Sequence, residues 1–351
     1  MQNNGHHKFI EPHDALARLI NEKANDLYEQ LRTFDVNSTG IDEYGKNYFT
    51  GHHGGNRLFF SVQSSADIIY RSVLLVKKDI SQVNFIDYGA GLGTLFLLAG
   101  KVGFQKVYFN DYFPQWAGYA KMLCDALNSK VDDFISGDID EVIGYAKKNN
   151  VFIDIVASRN VIEHIYDLRA FYTKLQQSKV AGFSYSTTTA NYHNLPMRLK
   201  HYRHHYKLEK LLYIKQRRDH LRETIPGLSA ADEKKLIALT RGRAFSDLTN
   251  AVDLYLAKKP VPPVEFLRTN TCDCQTGVWA EHLLTRQEYF RIIEEAGFKA
   301  TYTAGFWDTH YKYVVVNLVT RLLNRIIKVA GSKGYWFAPF INVVTAQKQH
   351  G

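Results

Sequence analysis

The chain has 351 residues, of which 45% are apolar and 23% charged, with a formal net charge of +9 at pH 7. This length allows a large core and more than one lobe, and the composition is typical of a globular enzyme. Its three cysteines include a lone Cys272-x-Cys274 pair, which is too few ligands for a zinc framework. We interpret the two cysteines as ordinary residues of a turn. The N-terminal residues lack the apolar stretch of a signal peptide, and no window has the unbroken apolar length of a membrane span. We therefore expect a cytoplasmic protein.

Residues 1–80 are predicted to form an N-terminal helical segment. A helix is expected from about Pro12 to Thr33, where apolar residues recur at helical spacing: Leu16, Leu19, Ile20, Ala24, Leu27 and Leu31. A Gly/His-rich stretch with His52 and His53 follows. It is either a flexible flap over an active site or a surface loop before a helix capped by Ser64 or Ser65.

Residues 83–95 are the most informative part of the chain. An apolar run of strand length ends in Asp87, glycines follow at positions 89, 91 and 93, and a helix opens at Thr94. A dinucleotide fingerprint, G-x-G-x-x-G, would have glycine where Thr94 stands. The pattern here is D-x-G-x-G-x-G, and its carboxylate suits a cationic ammonium better than a phosphate.

Three further segments follow the glycines. Residues 106–111 form a short strand ending in Asp111, about 20 residues beyond the glycines, where a carboxylate can accept ribose hydroxyls. Residues 134–139 end in Asp138 and Ile139. Residues 152–165 form an apolar strand that leads into a polar turn.

Together these four segments resemble the motifs of the class I S-adenosylmethionine-dependent methyltransferases, over slightly under half of the chain. The resemblance implies an α/β, Rossmann-like class I methyltransferase fold: a seven-stranded, mostly parallel sheet with an antiparallel closing hairpin, plus helical additions. It also implies S-adenosyl-L-methionine as cofactor, bound by Asp87, Gly89, Ala90, Gly91, Gly93, Asp111, Tyr112, Asp138, Ile139 and Asn160. The glycines alone could form a tight turn without a ligand, and Asp111 could be a helix N-cap.

The same resemblance places residues 81–189 in the cofactor half of the core and residues 284–351 in its C-terminal half. His164 and Glu163 follow the fourth strand, where relatives place groups that face the transferred methyl. Histidine has a suitable pKa for a general base, so His164 is the best candidate, although it could instead cap a turn. Relatives that bind a divalent ion have glutamate where this chain has Asn160. No metal is therefore predicted, although Glu163, His164 and His193 could in principle supply three ligands.

Residues 190–283 interrupt the core and are predicted to form a basic helical lid. Residues 198–222 contain nine basic and two acidic residues, so their net charge is +7 (9 − 2). Such a stretch is either a site for an anionic partner or a solvated face with its tyrosines packed inward. The predicted substrate contacts are Asn191, Tyr192, His193, His52, His53 and Arg203.

The core resumes with a helix over residues 284–298, opened by Thr285 with Glu288 three residues later and closed by Gly297. Its last two strands are expected at residues 299–304 and 340–346. An amphipathic helix is expected between them, around residues 314–330. Packing against the sheet or a second subunit is the preferred explanation of that pattern, and peripheral contact with an anionic membrane is the alternative.

The predicted activity is O-methylation of a hydroxyl on an anionic small molecule, glycan unit or natural product. No D/N-P-P-Y/F/W motif follows the fourth strand, which argues against methylation of base amines. Two alternatives remain: an RNA or tRNA methyltransferase that uses the basic lid on phosphates, and a methyltransferase-like binding protein without catalysis. The pattern assigns no oligomeric state.

Overall fold

The computed structural model describes residues 7–55 and 57–347. Its centre is a seven-stranded sheet with the order β3-β2-β1-β4-β5-β7-β6. The strands are β1 (Asn84–Tyr88), β2 (Lys106–Asp111), β3 (Asp133–Ser136), β4 (Ile153–Arg159), β5 (Ala181–Thr188), β6 (Phe298–Ala304) and β7 (Ile341–Gln347). All neighbouring pairs are parallel except those of β7, which runs antiparallel to both β5 and β6. The predicted mostly parallel sheet with an antiparallel closing hairpin is confirmed.

Helices cover both faces of the sheet because its central strands are apolar on both sides. One face is covered by α1 (Ala15–Thr33), α3 (Arg57–Val76), α4 (Thr94–Val102) and α5 (Pro114–Leu127). The other is covered by α6 (Ile139–Lys148), α7 (Leu168–Ser178) and α12 (Arg286–Glu295). The capping box predicted for α12 is present: Thr285 accepts the Glu288 N–H, and the Glu288 carboxylate accepts the Thr285 N–H.

The N-terminal segment differs from its prediction in one respect. The Gly/His stretch is not a flexible loop, because it forms helix α2 (Glu43–His53), which Asp42 caps by accepting the Gly45 N–H. Ser64 and Ser65 do not cap the next helix. They lie in the middle of α3, which begins at Arg57, and both are buried.

The insertion after β5 is helical, as predicted. It comprises α8 (Leu195–Leu208), a π-helical turn (Glu209–Tyr213), α9 (Ile214–Thr224), α10 (Ala230–Leu239) and α11 (Phe245–Leu256). A separate small apolar cluster of Leu221, Leu236, Leu248 and Val252 joins α9, α10 and α11. The chain then returns to the sheet through an extended segment that contains Cys272, Cys274 and Trp279, all buried.

Between β6 and β7 lies α13 (Val314–Ala330), close to the predicted range. The expectation that it packs against the sheet is wrong for most of its apolar residues. Only Thr320 and Ile327 are buried on this helix, so its apolar stripe faces away from the fold. Among the described residues, no helix is both long enough and apolar enough to cross a membrane.

Candidate active site

The glycine-rich loop between β1 and α4 forms the floor of a cavity at the carboxyl edge of the sheet. Gly89 and Gly91 have φ of 67° and 50°, in the left-handed region that favours glycine. A Cβ at Gly89 would lie 2.7 Å from the Val161 side chain, and one at Gly91 would lie 2.9 Å from the Tyr48 hydroxyl. Both positions therefore require glycine, and Tyr48 on α2 lies directly over the loop.

Two carboxylates flank this loop at the ends of neighbouring strands. Asp87 is buried at the end of β1 and accepts the Phe96 N–H at 2.9 Å. Burial raises the Asp87 pKa to about 8, although the Arg159 guanidinium opposes the shift. Asp111 at the end of β2 accepts the Gly91 N–H at 2.9 Å and the Phe113 N–H at 3.2 Å. Burial also raises the pKa of Asp111, so a cationic ligand at either carboxylate would favour its ionised form.

Arg159, at the end of β4, is a site residue that was absent from the predicted set. Its Nη1 donates to the Ser61 carbonyl at 2.9 Å and to the Ser64 hydroxyl at 3.0 Å, both on α3. The Thr94 hydroxyl, in the same cluster, contacts the hydroxyls of Ser61 and Ser65 at 3.0 and 2.8 Å. Arg159 places a guanidinium group on the cavity wall, where its positive charge favours the ionised form of Asp87. A basic residue at the end of a buried strand, directly before a polar turn, is the sequence signal that could have indicated it.

His164 lies in the turn after β4 and is oriented by the distant segment that contains Trp279. Its Nδ1 is 2.7 Å from the Trp279 carbonyl oxygen. Because a carbonyl can only accept, we assign the proton of the neutral ring to Nδ1, which leaves the Nε2 lone pair free. The Trp279 N–H in turn donates to the His164 carbonyl at 3.2 Å, which fixes the backbone of the turn.

Glu163, next to it, is buried in the fold and does not line the cavity. Its backbone carbonyl accepts the His282 N–H at 2.8 Å, and Thr188 hydrogen-bonds its carboxylate. Burial raises the Glu163 pKa. Glu163 therefore supports the turn that contains His164. Its position does not fit the predicted catalytic contact.

The cavity has a volume of about 210 Å³ and brings together many of the predicted residues. It is lined by Tyr48, His52, Asp87, Gly89, Ala90, Leu92, Gly93, Leu95, Arg159, Asn160 and His164. Asn160 has φ of 57°, and its side-chain oxygen accepts the Thr189 N–H at 3.1 Å. Tyr112 is 60% exposed and follows Asp111, so it is available to a ligand that extends beyond the cavity.

Asp138 and Ile139 lie outside this lining. Asp138 caps α6 through a capping box with Glu141, and Ile139 is buried in the core. Their predicted role in binding the cofactor stays a prediction.

The two histidines of α2 have different environments. His52 stacks on Tyr48, with ring centroids 4.1 Å apart, and lines the cavity. His53 is buried and hydrogen-bonds the Leu92 carbonyl of the glycine-rich loop. Burial lowers the His53 pKa to about 4, so the ring is neutral. His53 supports the loop and is only 6% exposed, which leaves little surface for the predicted substrate contact.

The predicted contacts after β5 are also occupied by the fold. Asn191 is buried, and its amide donates to the carbonyls of Tyr335 and Ala338 at 2.7 and 2.8 Å. His193 accepts the Arg286 N–H at 3.0 Å. Tyr192 lies between the guanidinium groups of Arg198 and Arg268, at 4.9 and 4.7 Å from its ring centroid. These residues join the insertion to the C-terminal part of the chain, which requires a correction of the predicted substrate role of Asn191.

Arg203 is exposed on α8 and does not line the cavity. Among the described residues, no three histidine, cysteine, aspartate or glutamate side chains form a group that could hold a metal ion. Glu163, His164 and His193 therefore do not form the three-ligand site that the sequence allowed.

No family model matches the sequence, and no curated protein matches it. Solved structures do match. Magnesium protoporphyrin IX methyltransferase from Synechocystis PCC 6803, with bound SAH, aligns at 11% identity and a TM-score of 0.44, covering 88% of this chain and 96% of that one. An S-adenosylmethionine-dependent methyltransferase from Mesorhizobium loti aligns at 12% identity and a TM-score of 0.38, covering 80% and 98%. The methyltransferase domain of bacterial CtHen1-C aligns at 13% identity and a TM-score of 0.38, covering 81% and 98%. By its own strand order and its reversed seventh strand, the chain has the Rossmann-like fold of the class I S-adenosylmethionine-dependent methyltransferases.

Proposed function

We propose that the protein is an S-adenosylmethionine-dependent methyltransferase that methylates a hydroxyl group. The observation that carries the proposal is that a buried carboxylate and a guanidinium, those of Asp87 and Arg159, line one cavity beside the glycine-rich loop. A free amino acid group carries one positive and one negative charge, which these two side chains complement.

The remaining parts of the cofactor match other features of the loop. Asp111 lies at the end of the adjacent strand, with its carboxylate held against Gly91, and can accept ribose hydroxyls. The left-handed glycines allow a ligand to approach the backbone closely. Bound there, S-adenosylmethionine would supply an activated methyl group.

His164 would act as the general base for the acceptor hydroxyl. Its Nε2 lone pair is free, its ring is held by the Trp279 carbonyl, and it lines the same cavity as Asp87 and Arg159. Nε2 can therefore take the proton that the hydroxyl loses as its oxygen becomes a nucleophile. Holding the hydroxyl in line with the methyl group is the other contribution the cavity can make.

The proposed acceptor is an anionic small molecule, glycan unit or natural product. The support is the exposed cationic surface of α8, which follows β5 after a short connection and contains Lys200, Arg203 and Lys207. An anionic group on the acceptor would interact favourably with this surface.

Isothermal titration calorimetry with S-adenosylmethionine tests the cofactor site. Asp111→Ala is expected to weaken binding by more than tenfold, roughly 1.4 kcal/mol, because it removes a charged hydrogen-bond acceptor. Asp87→Asn and Arg159→Met should each weaken binding as well. Asp125→Ala is the matched control, because Asp125 is exposed on α5. Wild-type protein that binds no S-adenosylmethionine would overturn the proposal.

Transfer of a labelled methyl group to fractionated metabolites tests the base. The fraction that wild-type protein labels is purified and its methylated atom identified by mass spectrometry. His164→Asn should then lower turnover by about 10²-fold or more, with cofactor affinity within threefold of wild type. Labelling of nitrogen, or full activity of His164→Asn, would contradict the assignment.

A further inference from the structure

We propose that α13 and the turn after it form a docking surface for an anionic lipid membrane. This inference is independent of the proposed methyltransferase activity. It rests on the exposure, the charge and the position of residues 311–337.

The apolar stripe of α13 is exposed along its whole length. Val329 is 90% exposed, Val314 and Val315 are each 72% exposed, and Leu322 is 57% exposed. With successive residues about 100° apart around a helix, Val314, Leu318, Leu322 and Val329 share one face, whereas the buried Thr320 and Ile327 are on the other side. The helix therefore packs on the fold through the side that contains Thr320 and Ile327, and its exposed apolar residues face the surroundings. Exposed apolar surfaces of this kind mark interaction sites in proteins.

The charge of this segment specifies the kind of partner. Residues 311–337 contain five basic residues and no acidic one: Lys312, Arg321, Arg325, Lys328 and Lys333. In the part of the chain that the structure describes, no carboxylate lies within ion-pair distance of Arg321, Arg325 or Lys328. Two copies of the chain that met through this face would bring like charges together without a carboxylate between them. A lipid surface with anionic headgroups complements both the apolar stripe and the basic flank.

Aromatic residues at both ends of the helix fit the same partner. Tyr313 is 67% exposed just before the helix, and Trp336 and Phe337 are 49% and 42% exposed after it. Tyrosine and tryptophan are favoured at the headgroup level, where one part of the ring meets acyl chains and the other meets water.

The position of α13 relates this surface to the cavity. β6 ends at Ala304, which pairs with Ile341, and Ile341 also pairs with Thr188 at the carboxyl end of β5. Residues 305–340 therefore leave the sheet at the same edge as the glycine-rich loop. A membrane bound to α13 would lie at the edge of the protein that contains the candidate active site.

Vesicle co-sedimentation of the full chain tests the proposal. We expect the protein to sediment with phosphatidylcholine vesicles containing 30% phosphatidylserine, and at least tenfold more weakly with pure phosphatidylcholine, since each surface Lys or Arg contributes roughly fivefold. Raising the salt concentration should weaken the binding because it screens the headgroup charges. Equal binding to both vesicle types, or no binding to either, would overturn the proposal.

Two pairs of matched variants locate the surface. Leu322→Glu should reduce binding at least tenfold, whereas Leu75→Glu should not, because Leu75 is similarly exposed at 50% on α3. The triple change Arg321→Gln, Arg325→Gln and Lys328→Gln should reduce binding to the anionic vesicles. The matched triple change Lys121→Gln, Lys147→Gln and Lys148→Gln, on exposed residues of α5 and α6, should leave it within threefold.

Circular dichroism of each variant excludes misfolding as the cause of lost binding. Sedimentation velocity tests whether a second copy of the chain covers this face. A wild-type dimer that Leu322→Glu converts to a monomer would show that a second copy covers α13, and would overturn the membrane assignment.

Discussion

Two helical segments of the chain, residues 198–222 and α13, both carry several basic residues, but the surroundings of these charges differ. In the stretch from Arg198 to Arg222, Glu209 within the stretch and Glu233 on α10 form ion pairs with three of the cations. In α13 the cations have no such partners among the described residues. A cluster of positive charge in a sequence therefore does not identify a binding surface until the positions of the carboxylates are known.

Arg217 is the centre of the neutralised segment, and its removal should have the largest effect. The Arg217 side chain is fully buried and pairs with Glu209, which also accepts the Thr271 hydroxyl at 2.6 Å. Arg217→Met should lower the free energy of unfolding by about 3–5 kcal/mol, because it leaves the Glu209 carboxylate, whose side chain is only 13% exposed, without its cation. Urea denaturation measures this loss, and a second change, Glu209→Gln, should restore part of it. A loss below about 1 kcal/mol would show that the pair is not structurally important.

The pH dependence of stability should also separate the two segments. Burial lowers the pKa of His205, in α8, to about 4, so the folded state holds a neutral ring where the unfolded chain takes up a proton below about 6.5. The neutral His205 ring therefore adds no penalty to the free energy of unfolding above pH 6.5, and this free energy falls as the pH drops from 6.5 toward 4. Between pH 7 and 5, wild-type protein should lose about 2 kcal/mol more unfolding free energy than His205→Gln. Parallel pH profiles of the two proteins would contradict this, and α13, which contains no histidine, should contribute nothing.

An exposed pair in the neutralised segment should matter much less than Arg217. Arg222 pairs with Glu233 at 2.7 Å, but its side chain is 62% exposed. Arg222→Ala should lower the unfolding free energy by at most about 1 kcal/mol, and added salt should reduce that difference. A loss as large as that of Arg217→Met would show that burial is not what separates the two pairs.

The smallest effect on stability is expected in α13. Leu322→Glu should change the unfolding free energy by less than about 0.5 kcal/mol, since its side chain is exposed in the folded chain. Ile327→Ala is the matched change on the buried side of the helix and should cost about 2 kcal/mol or more. Thermal denaturation followed by circular dichroism compares the two variants. Equal losses would mean that the apolar stripe of α13 is covered within the folded chain.

The parts of the fold that depend on local patterns were predictable from the sequence. The strand before Asp87, the left-handed glycines and the capping box of α12 each arise from residues within a few positions of one another. They follow from backbone geometry and hydrogen bonding that any such segment would show. The sheet and most of the cavity lining follow from these local elements in their order along the chain.

The contacts that complete the site were not predictable in the same way. Arg159 bonds to Ser64, 95 residues earlier, and His164 bonds to Trp279, 115 residues later. No local sequence pattern predicts either hydrogen bond, because each depends on how a segment outside the core packs on it. The same limit applies to α13, where periodicity predicts an apolar face but does not say which side the fold covers.

The cluster of Ser61, Ser64, Ser65, Thr94 and Arg159 has a consequence for the smallest part of the chain that could work alone. A fragment that began at Val83 would retain all seven strands and the whole glycine-rich loop. It would nevertheless leave the Arg159 guanidinium without the α3 carbonyl and hydroxyls that hold it, and would remove Tyr48 from above Gly91. The strands and the glycine-rich loop are therefore not enough chain to form the whole cavity, which also needs residues of α2 and α3.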